Sequence, residues 1–561
     1  MRAFLWVVLA LLTVAVFSPF ILLSLIGLLI FISFTVSEKG GRFYQFIWSY
    51  IIFFGLNIVL FQLAWLFRIS LPMWLPMLLL AGAATYTYAL KPPAPKNYET
   101  RYHASKWGVA AGLAVCLFVS LPLILNFSYA TVLRYSAKTG DDINHLSMIE
   151  ADRKAGGYVY RLTGPNQRLL DSRLIGYPQG WHVNAAVFEN SLLKLIGTDS
   201  LKTRLLSFFV YRLAWLFIMI YLAFELFITI VAGFYKKIRW IYSLAGSAAA
   251  GAIGLWLVVS VYGYGFQNFV AAVALVCAAV ILLCRWLVCE DIRTRRSYIL
   301  GLALLSTVSA AVWTLPFAIC GLIALAAVAS ELKRNPRDIS IRLWTALIFL
   351  FLTSLSIIYA VQTSSSGSLS GLNTGGAVPP ISIVGLSGLF LLMLALIYKS
   401  HGKYKNWLLY ISVVVFIEFF LLAVYQQLRF GEIRYYTIKL AYLVAVTLSI
   451  ILMAILSDYV FRAKTFLWAR GAGFMLLLLL LPLVLGLDPR KSAYPIKDSA
   501  PISKATAQYI IGLGATNPNI IIPSSNPTEK LLANKLWSGA RPYNSPSREA
   551  LIRSLDHEIT K

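Results

Sequence analysis

The sequence predicts an all-α polytopic membrane protein, and its composition and its apolar runs both support this prediction. Hydrophobic residues make up 59% of the 561 residues and charged residues only 13%. A soluble protein would carry roughly a quarter charged residues. Apolar runs of about 17 to 25 residues recur along most of the chain, each long enough to cross the bilayer's hydrocarbon core. The ten-residue alternation of a membrane β-barrel is absent, so we expect a bundle of about 13 to 15 transmembrane helices.

The predicted spans follow one another from the amino terminus, with two long runs that are broken by proline. The run 3–36 is too long for one helix and contains Pro19, so it predicts a hairpin of two short helices. The run 299–329 predicts a second hairpin, broken at Pro316. The remaining spans are expected to end near residues 66, 90 and 129, and to cover 206–232, 241–261, 268–287, 343–360, 381–397, 408–424, 438–456 and 472–487.

Two polar regions divide the chain into four parts. Residues 1–133 hold the first helices, 134–205 form a large polar loop, 206–487 hold the later helices, and 488–561 form a polar tail. The apolar run 519–523 predicts a short strand and 529–536 a helix, so we expect the tail to be a small α/β unit.

The basic residues predict the orientation of the bundle. The net charge is +26, and the Lys and Arg residues lie mostly in short loops between spans, a bias that keeps such loops in the cytoplasm. Basic loops near residues 39, 91–106, 236, 293, 333, 399–405 and 462–470 alternate consistently with the other loops. We therefore expect the polar loop and the tail outside the cytoplasm, the lipid bilayer as a partner, and no nucleic acid.

The first candidate site opens the polar loop. Asp141 and Asp142 follow a predicted span directly, and His145 comes within one helical turn, so on a helix their side chains crowd towards one face. A carboxylate at a membrane surface suits a general base. Asp142 and His145 are also the candidate ligands if a divalent metal, Mg²⁺ or Mn²⁺, takes part. The alternative is a solvated helix start, because Asp is a common N-cap.

Two further segments have side chains that suit substrate binding. The segment YPQGWH, residues 177–182, predicts a tight turn before an amphipathic helix 183–196. Its Trp181 and His182 suit a sugar contact, although a packed interfacial turn explains them equally well. The segment RYYTIK places Arg434, Tyr435, Tyr436 and Lys439 on the predicted outer side, where they suit a phosphate at the bilayer surface. The alternative is a helix end whose basic side chains snorkel to the headgroups.

Other mechanisms have less support in the sequence. The chain has no P-loop, GxGxxG, HExxH or GxSxG motif, which disfavours an ATP-driven pump. Glu225 and Glu418 fall inside predicted spans, where an acid is either functional or hydrogen-bonded between helices.

Taken together, these features resemble the GT-C superfamily of glycosyltransferases, which use sugars carried on polyprenyl phosphates. The YPQGWH segment is similar to the YPxGWH segment of large actinobacterial cell-envelope enzymes that transfer arabinofuranosyl or mannosyl units. The YYTIK residues 435–439 resemble their YYxxK segment, and SNP at 525–527 and LWSGAR at 536–541 resemble their outer domain. The acidic loop follows about five predicted spans here, whereas these enzymes usually place it after the first.

The resemblance implies a bacterial plasma-membrane enzyme that acts on the extracytoplasmic face in cell-wall biogenesis. One of Asp141 and Asp142 would deprotonate the acceptor, a glycan or glycolipid. Arg434 and Lys439 would hold the leaving lipid phosphate, while His145 and His182 position the sugar or acceptor. Two alternatives remain open at this point: a transporter or flippase of a lipid-linked saccharide, and a non-catalytic assembly protein of the envelope.

Overall fold

The computed structural model describes residues 42–73, 105–125, 127, 140–159, 176–196, 201–235, 240–260, 267–334, 339–365, 382–400 and 404–462, and among them only helices occur as regular structure. The predicted hairpin 3–36, the spans ending at 90 and covering 472–487, and the α/β tail lie outside these residues. Thirteen helices are described: α1 Arg42–Leu66, α2 Ser105–Leu125, α3 Gly140–Ala155, α4 Gly180–Ile196, α5 Leu201–Ala232, α6 Trp240–Ser260, α7 Gln267–Val288, α8 Ile292–Val312, α9 Pro316–Arg334, α10 Ile339–Ser365, α11 Ile383–Lys399, α12 Lys405–Phe430 and α13 Tyr435–Arg462.

The prediction of a multi-pass helical membrane protein is confirmed. Within the described ranges, eight helices are long and apolar enough to cross a bilayer: α1, α2, α5, α6, α7, α9, α12 and α13. Helices α10 and α11 carry shorter apolar stretches, Thr345–Val361 and Ile383–Lys399, at two more of the predicted spans.

The predicted break at Pro316 is also confirmed. Helix α8 ends at Val312, and the Trp313 N–H donates to the Ser309 carbonyl as the chain leaves the helix. Pro316 is the first residue of α9, the position where its missing N–H costs nothing. Helices α8 and α9 pack on each other as a hairpin.

Three helices form the centre of the bundle. In α5, α7 and α13 nearly the whole circumference is buried, as expected for helices that are apolar on every face. Helix α2 approaches α5 closely, because a Cβ atom at Gly108 or Gly112 would lie 2.5 Å from Phe224 or 2.7 Å from Phe217. Small residues four apart permit such close contact between membrane helices. The outer faces of α2 and α12 instead expose large apolar side chains such as Leu117 and Leu421, which suits contact with lipid.

The two ends of the bundle can be told apart from contacts. The Tyr235 hydroxyl, just after α5, donates a short hydrogen bond to the Asp458 carboxylate near the end of α13. Helices α5 and α13 therefore end together, and both begin at the opposite end of the bundle. Helices α3 and α4 pack on the first half of α5 at that opposite end, which we call the α3 end.

Candidate functional site

Helix α3 presents one polar stripe to the rest of the protein. Asp142, His145, Ile149 and Asp152 are spaced three, four and three residues apart, so they lie on one face of the helix. All four are buried. The alternative of a solvated helix start is therefore wrong for Asp142, because α4 and α5 cover this face. The side chain of Asp141 lies outside the described residues, and its role stays a prediction.

Asp142 forms a buried ion pair with Arg212 of α5. The Arg212 Nη1 to Asp142 Oδ1 distance is 3.1 Å, and the side chains are only 4% and 2% exposed. The guanidinium also lies 5.2 Å from the centre of the Phe208 ring. Opposite charges this close keep the carboxylate ionised and fix its position. Arg212 did not appear among the predicted site residues, although a basic residue inside a predicted span was a signal for it.

The two predicted histidines contact each other. The Nδ1 of His145 lies 2.7 Å from the Nε2 of His182, and both rings are buried. A bond between two ring nitrogens needs one donor and one acceptor, so at most one of the rings carries a positive charge. Burial, followed by the nearby His145, lowers the pKa of His182 well below its usual value, and a backbone contact at Pro178 opposes this shift. The pair is therefore suited to passing a proton between α3 and α4.

Aromatic rings surround this histidine pair. The Trp181 ring centre lies 6.0 Å from His145 and 5.0 Å from Tyr211 of α5, and the Tyr177 ring centre lies 5.9 Å from His182. Trp181 is completely buried, so in this structure it packs inside the protein and does not present a free face to a ligand.

The boundary predicted for helix α4 was wrong by three residues. The helix begins at Gly180 rather than at 183, so His182 lies in its first turn and not in the turn before it. The preceding residue, Gln179, is held from both sides. Its side-chain Oε1 accepts from the Val159 N–H at 2.8 Å, and its own N–H donates to the Tyr359 hydroxyl at 3.1 Å. Gly180 is needed here because a Cβ atom would lie 2.8 Å from the Ala311 Cβ.

A second set of charges ties α3 to its neighbours. The Glu150 carboxylate lies 2.9 Å from Arg204 of α5 and 3.0 Å from Arg153, and Arg153 lies 3.7 Å from Glu189 of α4. The Glu150 and Glu189 carboxylates are buried and the two arginine side chains are 16% and 18% exposed, and together the pairs fix α3 against two helices.

Asp152 is a buried acid that the sequence analysis did not single out. It is fully buried, and neither oxygen of its carboxyl group has a hydrogen-bond partner. Burial raises its pKa well above the usual value, which favours the neutral form. Its spacing of seven residues from His145, about two helical turns, was the signal that could have identified it.

The predicted phosphate cluster lies at the start of α13. The Lys439 amine, in a side chain buried to 5% exposure, sits 4.1 Å from the centre of the Tyr435 ring and 5.5 Å from that of Tyr436. Arg434 lies 3.2 Å from Glu432 and stacks on the ring of Phe430 at 4.0 Å. Snorkelling explains Arg434, which is partly exposed, but not Lys439, whose amine is held under two aromatic rings.

The Asp142–Arg212 pair and Lys439 occupy the same end of the bundle at similar depths. Arg212 lies about 23 residues, or about 34 Å, before Tyr235 along α5. Lys439 lies about 19 residues, or about 28 Å, before Asp458 along α13. Since Tyr235 and Asp458 are bonded to each other, the two depths differ by only about 6 Å.

Among the described residues, no three His, Cys, Asp or Glu side chains converge where a divalent metal could bind. Asp142 is engaged by Arg212 and His145 by His182. Both described candidate ligands are therefore engaged by other side chains.

The two acids that fall inside predicted spans differ in their surroundings. The Glu225 carboxylate accepts from the Tyr221 hydroxyl at 3.1 Å and lies 3.9 Å from Arg285. Glu418 is half-buried on α12, and one of its carboxylate oxygens is buried without a hydrogen-bond partner.

At this α3 end the structure brings together the predicted residues Asp142, His145, Trp181 and His182, and it holds Tyr435, Tyr436 and Lys439 at the start of a neighbouring helix. A comparison with known proteins adds no identification, because neither a protein-family model nor a curated protein matches the chain.

Proposed function

We propose that the protein is a membrane glycosyltransferase that moves a sugar from a polyprenyl-phosphate donor to a cell-envelope glycan or glycolipid. The observation that carries the proposal is that two groups occupy the same end of the bundle. One is an ionised, buried carboxylate beside a histidine pair, and the other is a buried lysine amine at a similar depth.

The depth of Asp142 and Arg212 suits a lipid-linked substrate, and Lys439 lies about 6 Å nearer the bilayer centre. Helix α5 has 32 residues, about 48 Å of helix, whereas the hydrocarbon core is roughly 30 Å thick. If α5 enters the core at Ala232, its turns before about residue 213 lie beyond the hydrocarbon. Arg212 and Asp142 are then at headgroup level, where a polyprenyl phosphate holds its phosphate and sugar.

The reaction follows from the residues in this arrangement. The Asp142 carboxylate accepts the proton of the acceptor hydroxyl, and the hydroxyl oxygen forms a bond to the anomeric carbon of the sugar. The bond from that carbon to the phosphate oxygen breaks, and its electron pair leaves with the lipid phosphate. Lys439 and Arg434 offset the charge that develops on the phosphate. Attack opposite to the leaving group inverts the anomeric centre.

Other residues position these groups. Arg212 orients Asp142 and keeps it ionised, so it is a positioning residue. His145 and His182 can relay the proton away from Asp142 after transfer. Asp152 is a poorer base, because its burial favours the protonated carboxyl.

The proposed orientation completes the assignment. The α3 end contains the polar loop, and the opposite end contains the basic segments near 293 and 333–334. The bias towards Lys and Arg on the cytoplasmic side favours an extracytoplasmic α3 end in a bacterial plasma membrane.

The test is sugar transfer by the purified protein in nanodiscs. Decaprenyl-phosphate donors carrying labelled arabinofuranose or mannose are incubated with a glycan extract of the cell envelope. We expect transfer by the native chain and a loss of about 100- to 10,000-fold in Asp142→Asn when the two are compared at equal amounts of folded, donor-binding protein. Asp458→Asn is the matched control, because it changes a buried, hydrogen-bonded acid at the opposite end of the bundle.

Two results would contradict the proposal. The first is the absence of transfer from either donor by the folded native chain. The second is an Asp142→Asn protein that transfers sugar as fast as the native chain and Asp458→Asn.

A further inference from the structure

Two buried polar side chains at the α3 end have no partner for either of their terminal atoms. Within the described ranges, Asp152 and Gln267 are the carboxyl and carboxamide groups for which both atoms are buried without a hydrogen bond. Gln267 is 1% exposed. Native proteins satisfy nearly all buried polar atoms, so a carboxamide with neither atom satisfied calls for an explanation.

Gln267 stands beside a second incompletely bonded amide. Asn268 is buried, and its Nδ2 donates to the Val312 carbonyl at 3.0 Å while its Oδ1 has no partner. The two residues begin helix α7, where the first N–H groups of the helix have no intrahelical acceptor. Three side-chain atoms are thus gathered at one place without a hydrogen-bond partner: both terminal atoms of Gln267 and the Asn268 oxygen.

The position of this group links it to the site. Val312 follows Ala311, and Ala311 is the residue against which Gly180 of α4 packs. Gly180 comes directly before Trp181 and His182. Phe269, the next residue of α7, packs on the residue after Val312: its ring lies 5.8 Å from the ring of Trp313, in an edge-to-face arrangement.

The chemistry of the surroundings selects the kind of ligand. From 267 to 284 helix α7 contains no charged residue, and neither does the segment 300–316 that leads into and across the α8–α9 break. An anion or a metal ion would lack a counter-charge from these two segments. A carboxamide offers two donors and one acceptor, which matches hydroxyl groups that donate and accept at once.

We propose that Gln267 and Asn268 bind hydroxyl groups of a saccharide at the start of α7. The inference rests on the proposed function and adds a sugar subsite to it. The saccharide is either the sugar of the lipid-linked donor or a sugar of the acceptor, since both present the same hydroxyl chemistry.

The first experiment measures stability without ligand. Gln267→Leu removes a buried amide that has no partner, so we expect its thermal unfolding temperature in detergent to equal or exceed that of the native chain. Gln62→Leu is the matched control. The Gln62 side chain is also buried, but it donates to the Leu355 carbonyl at 2.8 Å, so its loss should lower the unfolding temperature.

The second experiment measures binding by the same variants. The probes are farnesyl phosphate carrying mannose or arabinofuranose, farnesyl phosphate alone, and a cell-envelope oligosaccharide. We expect Gln267→Leu to weaken binding of a sugar-bearing probe by about 10- to 100-fold and to leave farnesyl phosphate unchanged. Gln62→Leu should bind all probes as the native chain does.

The outcomes separate the possible explanations. A loss confined to the farnesyl-linked sugars assigns the subsite to the donor, and a loss confined to the oligosaccharide assigns it to the acceptor. If Gln267→Leu binds every probe as the native chain does, or unfolds at as low a temperature as Gln62→Leu, the subsite is refuted. If the subsite is refuted but the native chain still transfers sugar, the proposed function is not contradicted. A native chain that transfers no sugar contradicts the proposed function itself.

Discussion

The buried pair of Asp142 and Arg212 allows a quantitative prediction. Asp142→Asn removes one charge and nearly preserves shape, and Arg212→Met removes the other while keeping a chain that can pack on Phe208. The double variant removes both charges. We expect each single variant to be strongly destabilised and the double variant to be more stable than either.

The magnitude follows from the geometry. Unit charges 3.1 Å apart attract by about 5 kcal/mol at an effective dielectric constant of about 20. The cost of desolvating both ions offsets most of this attraction, so the intact pair contributes little in net terms. Removing one partner leaves the other charge buried and alone, which typically costs about 3 to 5 kcal/mol.

The assay is equilibrium unfolding of the native chain and the three variants in mixed micelles of dodecyl maltoside and SDS. The four free energies of unfolding form a double-mutant cycle, and we expect a coupling energy of about 3 kcal/mol or more. The result should change little with salt, because buried pairs are weakly screened. If the two single effects are each below about 0.5 kcal/mol, or simply add in the double variant, the pair is not buried as described and the reasoning fails.

Three further predictions concern other residues of the site. Burial raises the pKa of Asp152, so the native fold loses stability as the pH rises above about 4. Asp152→Asn should therefore gain stability relative to the native chain as the pH rises, by at most about 1.4 kcal/mol per pH unit in micelle unfolding. Burial and His145 lower the pKa of His182, so its contribution to the free energy of unfolding is complete above about pH 6.5 and falls at lower pH. His182→Asn should therefore lose less stability than the native chain between about pH 6.5 and 5. An equal dependence of the unfolding free energy on pH in the two proteins would contradict this. Lys439→Ala should weaken binding of a farnesyl-phosphate sugar by about 10- to 100-fold, with partial recovery in Lys439→Arg; equal binding by all three proteins would remove Lys439 from the donor site.

Helix content and most span positions followed from the sequence. A membrane helix is defined by an uninterrupted apolar length, and that length is a local property of the chain. The break between α8 and α9 was predicted for the same kind of reason, because Pro316 lacks the N–H that a helix interior needs. The start of α4 was missed by three residues, since a glycine between proline and tryptophan does not reveal where helical hydrogen bonding begins.

Only some of the site residues could be predicted from the sequence. The sequence identified Asp142, His145 and His182 by residue type, but it treated the two histidines as separate sites. The structure showed that α3 and α4 bring their ring nitrogens to 2.7 Å. Arg212 lay unrecognised within a predicted span, because only its packing against α3 gives it a partner.

The sequence by itself determined that this chain builds a bundle of apolar helices, where most of those helices lie, and which polar residues interrupt them. The tertiary structure alone decided which charges are paired, as Asp142 is with Arg212. It also decided which polar atoms remain without partners, as in Asp152 and Gln267. The reason is physical. Hydrophobic length and proline breaks act over one segment of chain, whereas the state of a buried polar group depends on which distant helix lies within about 3 Å of it.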